Sequence, residues 1–123
     1  MPARLPHPLR PSTARELWTR LTTLFPEFTE YHSVEDLEDS ERDEAAILHS
    51  VMFPFTQFFG GRHTTFTEKR LSTLATLLNE AVALDDVLEN AVSTCFLEDL
   101  HQIRGYKALA PHLNAVARRK THA

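Results

Sequence analysis

The stretch RLSTLATLLNEAVALDDVLENAVSTCFLEDL, residues 70–100, decides the fold class. Its apolar residues recur every three or four positions, which is the period of an α-helix. Asp86 and Glu89 have the spacing of a capping box, in which two side chains cap the first turn of a helix. The stretch therefore predicts two consecutive helices, the first opening at Thr67 and the second at Asp86. The apolar stripe of the first helix consists of Leu71, Leu74, Leu77, Leu78, Ala81 and Val82.

The N-terminal half contains two further helix signals. Thr13 and Glu16 also have the spacing of a capping box, and Pro26 ends the helix that they open. Another helix is predicted from Ser40, whose hydroxyl would act as the N-cap. The acidic residues after Ser40 would then lie in the first turn, where the helix dipole stabilises negative charge.

Prolines and glycines mark the breaks between the predicted helices. Pro54 is predicted to kink or end the helix that begins at Ser40, and Gly60 and Gly61 are predicted to stop the segment that follows. Gly105 separates the helix of the opening stretch from a final helix, which contains a break near Pro111 or starts there. The connections between helices are therefore short.

These signals predict an all-α protein, folded as a compact bundle of four to six helices. The chain has 123 residues and only three glycines, which fits one domain in which helices dominate. Residues 1–11 contain four prolines and are predicted to form a flexible proline-rich arm. Residues 12–123 are predicted to form a single helical domain.

The composition also restricts location and chemistry. The single cysteine excludes an internal disulfide and a zinc site built from several cysteines. The N-terminus lacks the apolar run of a secretory signal, and no stretch approaches the roughly 18 apolar residues of a membrane span. We therefore expect a cytoplasmic protein that does not enter a membrane.

The net charge of −4 is concentrated in one segment. Residues 27–44 contain nine acidic residues and one arginine. Such a segment repels nucleic acid and attracts basic proteins, so it is either a solvated face or a docking surface for a basic partner. The acidic residues predicted to contact that partner are Glu35, Asp36, Glu38, Asp39, Glu41 and Asp43.

Four of the eight phenylalanines fall within the seven residues 53–59. These aromatic side chains either form the core of the domain or present an exposed patch to a partner. An exposed ring would supply the apolar anchor that protein interfaces usually need. Phe55 and Phe58 are the two predicted to contact the partner.

Cys95 and Asp99 lie on the apolar face of the predicted helix when the opening stretch is drawn as a helical wheel. A buried thiol behaves as a small apolar group, and along the sequence no histidine lies within a helical turn of Cys95. We therefore predict no catalytic thiol. Asp99 needs a cation or hydrogen-bond donors if it faces the core. The candidate cations are Arg62, Arg70 and Arg104.

Glu98 and His101 are the only pair that suggests a metal site. A Glu-x-x-His spacing places both side chains on one helical face, as in di-iron bundles, but those sites need two such motifs and two further glutamates. The sequence also lacks a glycine-rich phosphate loop, a His-Glu-x-x-His motif and a serine nucleophile elbow. We predict a protein that is not an enzyme, with no catalytic residues, no bound metal and no cofactor.

The helix containing Asn90, Ala91, Val92, Phe96, Leu97 and Glu98 resembles an Asn-Ala-Val-x-x-x-Phe-Leu-Glu helix. Small all-helical bacterial proteins of unknown function share that helix, and the resemblance extends over roughly residues 15–115. Some comparable small acidic helical proteins are immunity proteins, which neutralise bacterial toxins. The analogy with them predicts an immunity protein that blocks a cognate toxin domain, and the resemblance itself carries over no catalytic residue.

Two alternatives remain open at the level of the sequence. The first is a homo-oligomeric adaptor or regulator, in which two copies of the chain would form a homodimer through the phenylalanine cluster. The second is a small metal-dependent enzyme that uses Glu98 and His101. Neither alternative predicts binding to nucleic acid or to a membrane.

Overall fold

The computed structural model describes residues 8–37 and 43–121, in which six α-helices joined by short 3₁₀ turns form an all-α bundle. The helices are α1 (Ala14–Leu24), α2 (Glu44–Arg62), α3 (Glu68–Ala81), α4 (Val87–Cys95), α5 (Tyr106–Leu109) and α6 (Ala115–Lys120). The central helix α2 packs chiefly against α4 and also against α1, while α3 contacts α1, α4, α5 and α6. None of the helices in the described residues is both long enough and apolar enough to cross a membrane.

Short 3₁₀ turns connect these helices. Two of them separate α1 from α2, and each of the others continues the chain directly after a longer helix ends. Turns of this kind are common at the ends of α-helices and as connectors. They cover Pro26–Glu30, Val34–Leu37, His63–Thr65, Leu97–Asp99 and Ala110–His112.

Side-chain caps fix where the helices begin. The side chains of Thr13, Thr67 and Asp86 each accept a hydrogen bond from the backbone N–H three residues later, which confirms the predicted starts of α1, α3 and α4. The N-cap of α2 is Asp43, whose carboxylate accepts from the N–H of Ala46 at 2.8 Å. The residue predicted as this N-cap, Ser40, lies outside the described residues, and Asp43 caps the helix instead.

Helix α2 runs through Pro54 and ends at Arg62. Of the two outcomes predicted for Pro54, a kink or the end of the helix, the end is therefore wrong. Gly60 and Gly61, which were predicted to stop the segment after Pro54, lie within the last turn of α2. A proline inside a helix costs about 3 kcal/mol. Buried apolar side chains on both sides of Pro54, among them Met52 and Phe55, offset that cost, since fully burying each one contributes roughly 1.5–3 kcal/mol.

The core of the bundle is a cluster of phenylalanine rings. Phe25 and Phe28, which follow the end of α1, meet α2 with ring centroids 5.8 and 5.1 Å from that of Phe55. Phe96, after α4, lies 5.3 Å from Phe59 in an edge-to-face arrangement. Six rings are completely buried, and this cluster joins α1, α2 and α4. They belong to Phe25, Phe28, Phe55, Phe58, Phe59 and Phe96.

Helix α4 ends at Cys95, five residues before the end of the opening stretch. Phe96 leaves the helical region with φ −133°, which turns its ring into the aromatic core. Asp99 therefore lies on a 3₁₀ turn and is half-buried, so the helical wheel misplaced it. Two of its predicted cations have other partners, since Arg70 pairs with Glu27 and Arg62 pairs with Glu30.

Residues 8–11 of the predicted flexible arm are packed against the end of α3. The backbone N–H of Leu9 donates to the carboxylate of Glu80, and Pro11 is buried. Arg10 donates to the carbonyl oxygens of Glu80 and Ala81 at 3.0 and 3.1 Å, as a cation near a helix C-terminus does. Residues 1–7 of the predicted arm lie outside the described residues.

Candidate functional site

The exposed acidic residues between α1 and α2 form the candidate binding site, which we call the acidic surface. It consists of exposed residues on the two 3₁₀ turns after α1 and at the start of α2. Of the acids predicted to contact a partner, Glu38, Asp39 and Glu41 lie outside the described residues. The described members are Glu30, Tyr31, Glu35, Asp36, Asp43 and Glu44.

Three of these carboxylates also accept hydrogen bonds from backbone N–H groups. Asp36 accepts from the backbone N–H of Ser33 at 2.9 Å, and Asp43 caps α2. Glu44 accepts from the N–H of Ala14 in the first turn of α1. The acids are concentrated here partly because orphan N–H groups need acceptors, so Asp36 and Asp43 serve the fold as well as any partner.

Tyr31 is the exposed aromatic residue of the acidic surface. The residue is 41% exposed, and the centroid of its ring lies 5.4 Å from that of the buried Phe58 in an edge-to-face arrangement. The guanidinium of Arg62 lies 5.8 Å from the centre of the Tyr31 ring. One side of the ring is thus fixed while the rest is available, which suits a tyrosine at an interface.

Two arginines neutralise part of the acidic segment. Arg70 binds both carboxylate oxygens of Glu27, at 3.0 and 3.3 Å, and Arg62 binds Glu30 at 3.1 Å. The hydrogen bonds from Arg70 lower the pKa of Glu27 below its ordinary value. The net charge presented to a partner is therefore smaller than the sequence of residues 27–44 suggests.

Phe55 and Phe58 are completely buried, which corrects the prediction that they contact a partner. They lie on the face of α2 that packs onto Phe25 and Phe28, whereas Phe53 lies outside that face and is 58% exposed. The homodimer alternative therefore keeps one exposed ring of the phenylalanine cluster. Tyr31 replaces Phe55 and Phe58 as the aromatic residue of the candidate binding site.

A second group of reactive side chains meets where α2 packs against α4. The Nδ1 atom of His49 lies 2.9 Å from the Sγ atom of Cys95. On its other side, the Nε2 atom of His49 lies 3.4 Å from the side-chain amide of Asn90. We call Cys95, His49 and Asn90 the thiol cluster.

Burial raises the pKa of the Cys95 thiol, and the negative charges of Asp99 and Glu98 add to that effect. The hydroxyl of Thr56 donates to the backbone carbonyl of Cys95 and so ties the end of α4 to α2. Because its pKa is raised, the thiol of Cys95 keeps its proton at neutral pH. Any nucleophilic reaction of Cys95 needs a base, and His49 is in contact with it.

Sequence reasoning missed both Tyr31 and His49. Tyr31 could have been found, because it is an aromatic residue inside the acidic segment. His49 carried no such signal, since it lies 46 residues before Cys95 and only the packing of α2 on α4 brings the two together. A search along one helix for a histidine near Cys95 could not succeed.

The structure does not assemble the metal site considered for Glu98 and His101. Glu98 lies on a 3₁₀ turn, and the imidazole of His101 stacks on the ring of Tyr106 with centroids 4.2 Å apart. Among residues 8–37 and 43–121, no group of three or more histidine, cysteine or acidic side chains is placed to hold a metal ion.

Comparison with known proteins gives no match. No protein-family model, no curated protein and no solved structure matches this chain. The resemblance to small bacterial proteins with an Asn-Ala-Val-x-x-x-Phe-Leu-Glu helix therefore stays a prediction.

Proposed function

We propose that this chain is a binding protein that docks a basic protein through the acidic surface. The observation that carries the proposal is an exposed tyrosine among exposed carboxylates. Tyr31 is 41% exposed and fixed against Phe58, and it directly follows the exposed Glu30. Glu35 and Asp36 are exposed on the next turn of the chain.

The two kinds of side chain would contribute differently to binding. Exposed carboxylates attract a basic partner over several ångströms and speed its association, and salt screens this attraction. The ring of Tyr31 would supply a contact that excludes water, and such contacts carry most of the affinity at protein interfaces. An interface of this kind forms quickly at low salt and dissociates slowly once the ring is covered.

The specific form of the proposal is an immunity protein that acts in the cytoplasm and covers the basic cleft of a cognate toxin domain. Toxins that act on anionic substrates need such a cleft, and an acidic surface is complementary to it. The test is to express the chain with the C-terminal domain of a large secreted protein encoded next to its gene. Protection of the cells is expected. A toxic domain that still kills cells producing the chain would contradict the immunity form.

The acidic segment of residues 27–44, which includes the acidic surface, is tested by removing three of its charges together. In the variant Glu35→Gln, Glu38→Gln, Asp39→Asn, the affinity for the toxin domain should fall about tenfold at low salt. Its dependence on salt should weaken as well, because fewer charges are screened. Asp36 and Asp43 stay unchanged, because each accepts a backbone N–H that the fold needs. Isothermal titration at two salt concentrations measures both effects.

The matched control removes three exposed acids elsewhere, in the variant Glu68→Gln, Asp85→Asn, Glu98→Gln. The two variants have the same net charge, so a long-range effect of total charge would weaken binding equally in both. A local docking surface predicts a loss in the first variant only. Equal affinities for the two variants would contradict docking through the acidic surface.

A further inference from the structure

We infer that the thiol cluster is a nucleophilic centre in which Cys95 attacks the carbonyl carbon of an activated ester or thioester. The Nδ1 atom of His49, 2.9 Å from the Cys95 sulfur, is placed to accept the thiol proton. The amide of Asn90 faces the opposite ring nitrogen. Covalent acyl transfer requires a nucleophile, a base in contact with it, and a third group that orients the base.

Asn90 acts as a positioning residue. With the proton of His49 on Nε2, the side-chain oxygen of Asn90 accepts that N–H once its amide is turned over. This tautomer leaves the lone pair of Nδ1 directed at the thiol. The separation of 3.4 Å is long for a hydrogen bond, and such contacts commonly tighten when substrate binds.

The reaction balances without a cofactor. The Cys95 sulfur forms a bond to the carbonyl carbon while its proton moves to Nδ1 of His49, and the carbonyl electron pair moves to oxygen. When that pair returns, the bond to the leaving group breaks, and His49 gives its proton to the departing oxygen or sulfur. The product is an acyl thioester on Cys95. Water activated by His49 then releases the acid and restores the thiol.

Two exposed apolar side chains indicate the class of acyl group. Phe53, one turn after His49 on α2, is 58% exposed. Val87, one turn before Asn90 on α4, is 53% exposed. Apolar surface of this kind is covered favourably by an apolar acyl chain, at about 25 cal/mol for each Å² removed from water. The expected substrates are therefore esters or thioesters of apolar acids.

The test uses the full chain and p-nitrophenyl esters of acetate and hexanoate as probes. We expect wild-type protein to release nitrophenolate and to gain the acyl mass on the peptide that contains Cys95. The hexanoate ester should react faster than the acetate ester. The Cys95→Ser variant should lose the adduct.

His49→Gln should slow the acylation by about 100-fold near neutral pH, the size expected for loss of a general base. At strongly alkaline pH the variant should approach the wild-type rate, because the thiolate then forms without a base. Asn90→Ala should show a smaller loss with the same recovery. A residue needed only for folding would not recover in this way. His101→Gln removes an exposed histidine elsewhere and should leave the rate unchanged.

The wild-type chain keeps the inference testable even where a variant does not fold. Acylation of native Cys95 no faster than that of a free cysteine derivative at the same pH would overturn the inference. So would equal rates for the folded wild type and a folded His49→Gln variant at neutral pH.

Discussion

Gly105 is a position where adding a single methyl group should change the stability of the protein. A Cβ atom there would lie 2.7 Å from Cε1 of Phe59, and real Cβ contacts are longer. Phe59 cannot move aside easily, because it is completely buried against Phe66 and Phe96. Gly105→Ala should therefore lower the free energy of unfolding by about 1–3 kcal/mol, as overpacked core positions do. Urea denaturation measures it.

Gly61 provides the matched control for this prediction. It lies in the last turn of α2, and no atom lies within 4 Å of a Cβ atom built there. Gly61→Ala should leave stability unchanged or raise it by up to about 1 kcal/mol, because alanine is the better helix former. If both variants lost stability to the same extent, close packing of Phe59 on Gly105 would not be the cause.

At the element scale, Pro54 is the residue that α2 tolerates rather than needs. Pro54 has no N–H to donate to the carbonyl of Ser50, four residues earlier, and its ring crowds that turn. Pro54→Ala restores the donor and should raise the free energy of unfolding by about 1–3 kcal/mol. Thermal unfolding followed by circular dichroism measures the change.

The exposed Gln57, in the next turn of α2, serves as the control. Gln57→Ala should change stability by no more than about 0.5 kcal/mol, as surface substitutions usually do. A Pro54→Ala variant less stable than wild type would show that the aromatic core is packed around the shape that Pro54 gives to α2.

Elements also show how far the sequence predicts this molecule. The starts of α1, α3 and α4 were predictable, because Thr13, Thr67 and Asp86 act within one turn of their own helices. The path of α2 through Pro54 was not, because its stability depends on rings supplied by other elements. The burial of Phe55 and Phe58 was hidden for the same reason, since the face of α2 that packs inward determines which phenylalanines are buried.

At the scale of the whole molecule, three carboxylates join segments that are distant in the sequence. Glu27 joins the turn after α1 to Arg70 of α3, and Asp86 joins α4 to Arg10 at 2.6 Å. Glu89 accepts a hydrogen bond from the hydroxyl of Ser93 at 2.5 Å and forms an ion pair with Lys120 of α6 at 3.4 Å. Their arrangement links the N-terminal segment, α3, α4 and α6.

The pKa of each of these carboxylates is below its ordinary value. For Glu27 the main cause is the hydrogen bonding from Arg70, and for Glu89 it is the hydroxyl of Ser93. Burial of Asp86 favours its neutral form, but the hydrogen bonds from Arg10 and from the backbone outweigh burial and lower its pKa. In every case the folded protein stabilises the charged form of the carboxyl group more than the unfolded chain does.

The unfolded chain therefore binds protons more readily in acid than the folded protein, and this difference determines the sign of the pH dependence. The stabilisation from Glu27 and Glu89 is fully present above their ordinary pKa of 4.5 and is lost as the pH falls through the lower folded-state values. Urea denaturation between about pH 7 and pH 3 should show that the free energy of unfolding decreases once the pH is below 4.5. The Glu27→Gln variant should be less stable than the wild type at neutral pH, and its free energy of unfolding should decrease less in acid. Parallel curves for this variant and the wild type would show that the Glu27–Arg70 pair does not contribute to the acid dependence.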